Sequence, residues 1–398
     1  MKIVFFDFVF YFGGGPQLAV DIAKRLSTDH DVQVIDVSGT CDLYIKALKD
    51  AGIKIHILNP RIKNIYAERV TSKFRRLFQV ICKIFLFLRL RKKLIKKIHE
   101  INPDIIWTNS KAALLLLGLV YRRLHCPLAV EVVTCNNAAF FRGYYKWLMK
   151  HRVAVLMAIS TETAKQLQLA GIKNNHIRTV FDTIDINDTL KKSVETLTVP
   201  LPGLDQHPKI LVPALLLPRK GQDTAIKAVA QLKTEGMEPV LWLAGVVTAH
   251  EPLYQDYLQN LAEELNVLEN VHFLGWREDV PAIMIQADMV VLPTHQEGFG
   301  HVVLEAMLLC RPVIATPVGG IKDSIQDGVN GLNFPVGDEH TLADCIKRIV
   351  SDGQLVETLT RNGYTTATKI FSPENHTKRF LAGLRFAIQS KGESKKEL

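Results

Sequence analysis

Residues 289–307 read MVVLPTHQEGFGHVVLEAM, an apolar run, a turn with two glycines and a second apolar run that contains one carboxylate. The first run predicts a buried strand and the second predicts a helix. A buried carboxylate needs strong partners, so Glu305 among valines and leucines requires an explanation. Glu297 stands eight positions earlier, in the turn itself. A strand, a turn and a helix in this order are typical of a parallel α/β sheet.

Short apolar strands alternate with amphipathic helices along the rest of the chain. At the N-terminus, KIVFFDFVF predicts a strand, and QLAVDIAKRLSTDH predicts the helix that follows the turn GGGPQ. The same order returns in the second half, where KILVPALL precedes DTAIKAVAQLKTEG. Strands of this kind pair in parallel, with helices covering the sheet. The predicted fold class is therefore α/β, with doubly wound, Rossmann-like parallel sheets.

The alternation pauses at KKSVETLTVPLPGLDQHP, residues 191–208. This stretch is polar, contains prolines and lacks periodicity, which is typical of an interdomain linker. A chain of 398 residues is long enough for two domains. We therefore expect domains at 1–190 and 209–371, with a last helix within 372–398 that returns to the first domain. Ligands of such sheets bind beyond the carboxyl ends of the strands, so both domains are expected to face a central cleft.

The basic character of the chain is concentrated in one segment. The net charge is +9, yet residues 61–97 contain thirteen Lys or Arg and one acid, Glu68. The six cysteines form neither a CxxC pair nor a group with His at zinc spacing, which favours a reduced, cytosolic protein. The start MKIVFFDFVFYF predicts a buried strand rather than a signal peptide, because Asp7 interrupts the apolar run. No apolar run reaches the length of a membrane span.

Two glutamates, a lysine and several glycines carry the chemistry that the sequence suggests. Gly298 and Gly300 let the backbone approach a ligand closely, and the helix that follows presents free N–H groups to an anion. Lys220 precedes a glycine and a helix, where it can bind phosphate as a point charge. The hydroxyls of a ribose would satisfy Glu305. On spacing alone, a helix-start acid, a partly exposed helix glutamate and a solvated turn lysine remain open alternatives.

The stretch EGFGHVVLE, residues 297–305, resembles the EX7E element of the glycosyltransferase group 1 family, retaining enzymes with the GT-B fold. The preceding NVHFLGWREDVPAIMIQADMVVLPTHQ and the later RPVIATPVGGIKDSIQDGVNGLNFPVGD resemble the same family, as does KGQDTAIKAVAQL. The resemblance is strong over residues 209–371 and weaker over 1–190. It implies that the C-terminal domain binds a nucleotide sugar and that the N-terminal domain binds the acceptor.

The resemblance also implies a role for each residue that matches a motif of the family. Glu297 would lie by the donor sugar as the catalytic residue, and Glu305 would hold the ribose. Lys220 would bind the diphosphate, with Arg219 beside it. The other implied substrate-binding residues belong to glycine-containing turns: Gly14, Gly15, Gly298, Phe299, Gly300, Gly319 and Gly320.

The sequence departs from the family's pattern at several positions. Leu215 stands where the family usually has a second diphosphate-binding arginine, and Asp323 stands where it often has glutamate. In FDTIDIND, Asp182 and Thr183 replace the usual asparagine and glycine. The TCNN stretch at 134–137 lacks the histidine that many relatives place there, so no catalytic base is assigned.

Other motifs are weaker. The glycines at 13–15 do not have the GxGxxG spacing of a nicotinamide site. The acidic run that begins at Asp185 is expected to form a turn rather than a metal site, and His301 is expected to pack on its turn. No clustered His and Cys residues suggest zinc. The chemistry is therefore expected to need neither metal nor cofactor, with Lys220 and backbone dipoles stabilising the leaving diphosphate.

The basic segment contains RVTSKFRRLFQVICKIFLFLRLRKKLIKKIHE, in which apolar residues recur at helical spacing among cationic ones. A core helix with a solvated basic face is one interpretation. Attachment of residues 70–98 to an anionic membrane surface is equally open, since each basic residue near such a surface adds about 1 kcal/mol. Nucleic-acid binding is disfavoured, because no aromatic stacking motif accompanies the charge.

The sequence therefore predicts a hexosyltransferase-type enzyme that moves a sugar from a nucleotide-diphosphate sugar to a saccharide or polyprenyl-linked acceptor, in surface-polysaccharide synthesis. It would be cytoplasmic, with peripheral contact to the inner face of the cell membrane. The alternative is a catalytically silent GT-B module that binds a nucleotide sugar or a partner enzyme. Leu215 and the missing histidine favour that alternative, whereas the intact EX7E element and Lys220 oppose it.

Overall fold

The computed structural model describes residues 1–11, 14–60, 89–133, 137–205, 208–249 and 251–394. These residues form two compact units. The first unit comprises the described residues of Met1–Ile159 and Thr163–Val180 and the chain from Thr377 onward. The second unit comprises Ser160–Glu162 and Phe181–His376. The domain boundaries expected at residues 190, 208 and 371 stay a prediction.

A parallel sheet forms the centre of the first unit. Its described strands are β1 Lys2–Asp7, β2 Asp31–Asp36, β3 Lys54–Ile57, β4 Ile105–Thr108, β5 Leu128–Val132, β6 Val155–Ala158 and β7 Ile177–Thr179. They lie in the order β3-β2-β1-β4-β5-β6-β7. The helices before and between them are α1 Gly14–Leu26, α2 Asp42–Asp50, α3 at 89–101, α4 Lys111–Gly118, α5 Gly143–His151 and α6 Thr161–Leu169.

Both faces of this sheet are covered by helices. Successive side chains of a strand point to opposite faces. Ile3 and Phe5 of β1 accordingly pack in one cluster with α1 and α2, and Val4 and Phe6 pack in another with α3 and α4. Burial on both faces explains why β1 reads as a nearly continuous apolar run.

Helix α3 contains the described part of the basic segment. Its apolar side chains, Leu90, Leu94 and Ile98, are buried against the sheet, whereas Lys92 and Lys96 are exposed. Within residues 89–98 the segment is therefore a core helix with a solvated basic face, and its apolar side is not available to a membrane. The rest of the predicted membrane segment 70–98 lies outside the described residues. Within the described residues, no helix is long and apolar enough to cross a membrane.

The second unit repeats the architecture with a six-stranded parallel sheet in its described residues. The strands are β8 Lys209–Pro213, β9 Val240–Ala244, β10 Val271–Gly275, β11 Met289–Leu292, β12 Val313–Ala315 and β13 Leu332–Asn333. Their order is β10-β9-β8-β11-β12-β13. The helices are α7 Ile186–Ser193, α8 Gln222–Thr234, α9 Tyr254–Glu264, α10 Val280–Gln286, α11 His301–Leu308, α12 Ile321–Ser324, α13 Glu339–Ser351 and α14 Gly353–Thr365.

Hydrogen bonds attach part of the stretch predicted as a linker to the second unit. The backbone N–H and hydroxyl of Thr198 donate to Asp279 Oδ2 over 2.7 and 2.9 Å. Asp279 also accepts two hydrogen bonds from Arg277, each 2.7 Å long. Trp242 Nε1 donates to the carbonyl of Pro202 over 2.9 Å. Residues 198–202 are thus held by buried polar groups of the second unit.

The last helix, α15, spans Pro373–Ser394. Its residues Phe380, Leu384 and Ala387 are buried in the cluster that covers one face of the first unit's sheet. The Phe380 ring packs edge-on against Trp107 of β4, with ring centroids 4.9 Å apart. Apolar burial therefore holds the end of the described chain on the first unit.

Candidate functional site

A cavity of about 130 Å³ lies beyond the carboxyl ends of β8 and β11 in the second unit. These strands are neighbours, but β8 is followed by β9 on one side and β11 by β12 on the other. Ligands of open α/β sheets bind at such a switch point. Pro213 and Leu292 line the floor of the cavity at the strand ends, and Lys220, Glu297 and His301 contribute charged groups to its wall.

Lys220 is placed by a tight contact between two loops. Gly221 has a φ of 68°, and a side chain there would lie 2.0 Å from the carbonyl oxygen of Pro293. The backbone N–H of His295 donates to the carbonyl of Arg219 over 2.8 Å. The hydroxyl of Thr294 donates to the same carbonyl over 2.9 Å. Glycine at 221 is thus required because the loop after β8 rests directly on the loop after β11.

This loop contact brings Lys220 and Glu297 together. Lys220 Nζ lies 2.5 Å from Glu297 Oε2, and both side chains are largely buried, at 16% and 17% exposed. The other oxygen of Glu297 accepts a 3.0 Å hydrogen bond from the backbone N–H of Gly298. A phosphate that binds Lys220 would compete with Glu297 for the ammonium group. The pair therefore joins the two residues for which the resemblance implied contacts with the diphosphate and the donor sugar.

The turn between β11 and α11 packs on the loop that precedes α12. Gly300 ends the turn with a φ of 87°, and Gly319 has a φ of 53°. A side chain at Gly319 would lie 1.8 Å from the carbonyl oxygen of Glu297, and one at Gly320 would lie 2.7 Å from Phe299 Cα. The backbone N–H of Gly320 donates to the carbonyl of Gly298 over 3.0 Å. These glycines therefore fix the position of the turn, and their predicted role in substrate binding stays a prediction.

The side chain of Phe299 serves the core of the second unit. It is buried, and its ring centroid lies 5.6 Å from that of Phe371 and 5.7 Å from that of His301. A contact of this residue with substrate would have to use its backbone. That role, too, stays a prediction.

His301 forms an ion pair that the sequence did not reveal. Its Nε2 lies 2.8 Å from Oδ2 of Asp182, whose side chain is 4% exposed. Asp182 also accepts a 2.8 Å hydrogen bond from the backbone N–H of Thr183. The hydroxyl of Thr183 donates to the carbonyl of Phe371 over 2.6 Å. The expectation that His301 only packs on its turn is therefore wrong, because the buried Asp182 carboxylate binds the imidazole.

The electrostatic surroundings favour the protonated form of His301. Burial alone would lower its pKa, but the charge of Asp182 and the hydrogen bond to it, aided by Glu305 and Glu297, raise the pKa to about 9. Burial acts to raise the pKa of Asp182, yet the charge and hydrogen bond of His301 hold that pKa below its ordinary value. The pairing with Asp182 thus favours the imidazolium form of His301, which opposes a role as general base.

The surroundings of Glu305 shift the pKa of its carboxyl group. Burial raises its pKa, while the charges of His301 and Lys192 act in the opposite direction and Asp188 adds to the rise. Lys192 and Asp188 pair over 2.7 Å on α7. Glu305 is half-buried, and the two nearby cations, His301 and Lys192, explain how α11 tolerates its carboxylate among apolar residues. Its predicted bond to a ribose stays a prediction.

The structure gives local roles to the positions that depart from the family's pattern. Leu215 is at the surface, and its carbonyl accepts a 2.9 Å hydrogen bond from Gln222 Nε2. Arg219 has an exposed side chain, while its carbonyl joins the two loops described above. Asp323 accepts hydrogen bonds from the backbone N–H and the hydroxyl of Thr161, 2.8 and 2.5 Å long. Neither Leu215 nor Asp323 therefore offers a free cation or carboxylate to a ligand.

Gly14 and Gly15 lie in the first turn of α1, in the first unit. A side chain at Gly15 would meet nothing within 4 Å, so its backbone is open on that side. Gly13 and residues 134–136 lie outside the described residues. The predicted contact of these loops with a substrate stays a prediction.

No role at the site was predicted from the sequence for three charged residues: Asp182, Asp188 and Lys192. One signal was present in FDTIDIND, where Asp185 precedes Asp188 by three positions. Asp185 caps α7 by accepting a 2.9 Å hydrogen bond from the backbone N–H of Asp188. This is a helix-start pattern, so the expected turn is in fact the beginning of α7.

Comparison with known families covers most of the chain in two parts. Residues 201–366 match the model of glycosyl transferases group 1, and residues 12–188 match that of glycosyltransferase family 4. LpsE of Rhizobium meliloti, a lipopolysaccharide core biosynthesis glycosyltransferase, is 33% identical over 174 residues, which are 44% of this chain and 48% of that protein. This chain thus spans about half the length of LpsE.

A second relative and a solved structure extend the similarity over more of the chain. Alpha-D-kanosaminyltransferase of Streptomyces kanamyceticus is 30% identical over 293 residues, which are 69% of this chain and 73% of that protein. The crystal structure of Anabaena HepE in complex with UDP aligns with this chain over 100% of both chains, with a TM-score of 0.75 and 22% sequence identity. The seven- and six-stranded parallel sheets are therefore those of the GT-B fold, and the chain belongs to the group 1 glycosyltransferases, in family 4.

Proposed function

We propose that this protein is a retaining hexosyltransferase that uses a nucleotide-diphosphate sugar as donor. The observation that carries the proposal is the pairing of Lys220 with Glu297 at the wall of the switch-point cavity. A cation and a carboxylate there provide one group for a diphosphate and one for a sugar. HepE has been solved with UDP and with UDP-glucose, so UDP-sugars are the first donors to test.

In the proposed reaction, the diphosphate binds Lys220 and the N–H groups at the start of α11. The bond between the anomeric carbon and the diphosphate oxygen breaks, and the acceptor oxygen bonds to the same carbon on the same face. The proton of the acceptor hydroxyl ends on the diphosphate. Lys220 and the helix N-terminus stabilise the charge that develops on the leaving group. Glu297 faces the sugar and Glu305 holds the ribose.

The acceptor is proposed from the relatives. LpsE is named for lipopolysaccharide core synthesis, and WaaB, a lipopolysaccharide outer core galactosyltransferase, shares the fold with a TM-score of 0.68. By analogy with these two proteins, the proposed acceptor is a saccharide or a polyprenyl-linked saccharide in surface-polysaccharide synthesis. Such an acceptor would be met at the inner face of the cell membrane.

The test combines turnover and binding. The full chain is incubated with UDP-, GDP- and dTDP-hexoses, and release of the free nucleotide diphosphate is measured with and without saccharide acceptors. Calorimetry measures the affinity for each free nucleotide diphosphate. We expect Lys220→Ala to weaken nucleotide diphosphate binding by about one to two decades, because a charge-assisted contact is worth about 1.5–3 kcal/mol. Glu297→Gln is expected to reduce turnover more than binding.

Matched variants separate these roles from general effects of charge. Lys46→Ala on α2 and Glu357→Gln on α14 remove the same charges from exposed positions, and both should behave like the wild type. Nucleotide-sugar binding without turnover for any donor and acceptor would support the silent module instead. Absence of binding to every nucleotide diphosphate, with an intact fold, would refute the donor proposal.

A further inference from the structure

A second cavity lies in the first unit, at the end of the sheet where the strands begin. Its volume is about 830 Å³, and its floor is formed by Pro127, Leu128 and Val153, at the amino ends of β5 and β6. Tyr121 and Arg152 form part of its wall. Ligands of open parallel sheets are expected at the carboxyl ends of the strands instead. This cavity therefore needs a separate explanation.

Exposed aromatic rings stand beside the cavity. Tyr144 and Trp147, on the outer face of α5, stack with ring centroids 5.6 Å apart and are 45% and 37% exposed. Tyr121 meets Trp147 edge-on at 6.1 Å. Leu119, at 40% exposed, adds an aliphatic side chain at the end of α4. The opposite side of α5, with Tyr145, Leu148 and Met149, is buried in the core. The Tyr144 and Trp147 rings lie on the exposed side of the same helix.

Two arginines are fixed against the rings. Arg152 Cζ lies 4.3 Å from the ring centroid of Tyr121 and 5.2 Å from that of Trp147. Arg122 Nε donates to the Tyr121 hydroxyl over 3.1 Å, which lowers the pKa of that hydroxyl. Arg122 Cζ also lies 5.9 Å from the centroid of the Tyr121 ring, so cation–π contacts hold both guanidinium groups beside the aromatic rings. We call Leu119, Tyr121, Arg122, Tyr144, Trp147 and Arg152 the aromatic–basic patch.

The chain segment that contains the patch is basic. Between Asp104 and Glu162 the sequence contains seven Lys or Arg and one acid, Glu131. Glu131 lies on β5 and is buried, so it does not offset the surface charge. Amphipathic rings together with guanidinium groups are the combination that binds the headgroup region of a bilayer, where the rings sit at the interface and the cations meet phosphate.

We propose that the aromatic–basic patch is a docking surface for an anionic phospholipid bilayer, with a lipid phosphate entering the cavity beside Arg122 and Arg152. The proposal does not depend on the donor chemistry of the second unit. It also differs from attachment through the basic segment, because the apolar side of α3 is buried within residues 89–98. The surface belongs to α5 and the turn after α4.

Vesicle flotation of the full chain tests the proposal. The vesicles are phosphatidylcholine alone or phosphatidylcholine mixed with phosphatidylglycerol. We expect binding to the mixed vesicles, and a loss of about fivefold in the partition coefficient for each of Arg122→Gln and Arg152→Gln. Arg348→Gln and Arg361→Gln remove the same charge from exposed positions of the second unit and should retain binding. Equal binding of the patch and control variants would overturn the proposal.

Tryptophan fluorescence gives a readout that needs no change in the patch. The four tryptophans are Trp107 and Trp242, which are buried, and Trp147 and Trp276, which are exposed. In Trp276→Phe, Trp147 is therefore the exposed tryptophan. Brominated phosphatidylcholine in the mixed vesicles should quench its emission. Absence of quenching on bound protein would refute docking through the patch, and binding of soluble glycerol phosphate without retention on vesicles would show a small-anion site instead.

Discussion

Replacing Asp182 with asparagine should lower the pKa of His301. The two side chains are 2.8 Å apart, and asparagine keeps the shape of the residue and an oxygen that can accept from Thr183. What it removes is the negative charge that holds the proton on the imidazole. The change also restores the residue type that the resemblance predicts at this position. It therefore isolates the electrostatic part of the contact.

The magnitude is bounded by the pKa of His301, which Asp182, aided by Glu305 and Glu297, raises from 6.5 to about 9 against the opposing effect of burial. Without solvent screening, this rise corresponds to about 3.4 kcal/mol. The His301 side chain is 40% exposed, so we expect about 1–2 kcal/mol, which is a pKa decrease of about 0.7–1.5 on substitution. Because the folded pKa is raised, this stabilisation is complete below pH 6.5 and is lost as the pH rises towards 9.

NMR of protein with ¹³C-labelled histidine measures this pKa directly, and His301→Gln assigns the resonance. Asp188→Asn serves as the control, because it removes a nearby carboxylate that does not touch His301. We expect the control to titrate like the wild type. If Asp182→Asn and the wild type titrate at the same pH, the ion pair does not set the protonation of His301 and the reasoning fails.

Three other changes have expected outcomes. Glu305→Gln should weaken nucleotide binding by about one to two decades, measured by calorimetry, because a bond from ribose to a carboxylate is stronger than one to an amide. Asp279→Ala should lower the free energy of unfolding by about 3–5 kcal/mol in urea titrations, since it leaves a buried arginine unpaired. Gly319→Ala should lower the melting temperature and turnover, because its side chain would overlap the Glu297 carbonyl, whereas Gly353→Ala, with open space, should not.

The order of strands and helices could be predicted where each element is long enough to show its periodicity. The runs that became β1 and β11 are apolar because both faces of their sheets are covered, and that property is local in the sequence. The edge strands β7, Ile177–Thr179, and β13, Leu332–Asn333, are too short to show a period. These two strands form because the neighbouring strands, β6 and β12, offer backbone hydrogen-bonding partners.

The candidate site could be predicted only in part, because its contacts join distant residues. EGFG and the following helix pattern pointed to Glu297 and Glu305 without a structure. The contact of Glu297 with Lys220 spans 77 residues and depends on which strands are adjacent. The pairing of His301 with Asp182 depends on where the chain passes after β7, which no local pattern encodes.

The strand order of the second unit explains why Lys220 and Glu297 meet. In the sheet, β8 and β11 are adjacent and parallel, so their carboxyl ends lie side by side. The strand that follows β8 in the chain, β9, lies on one side of this pair, and the strand that follows β11, β12, lies on the other. Right-handed crossovers therefore place α8 and α11 on opposite faces of the sheet. The loops after β8 and β11 are left uncovered between these helices. Lys220 and Glu297 lie on these two loops and both line the cavity, and the glycines at 221 and 319 let the backbones come close enough for the pair to form.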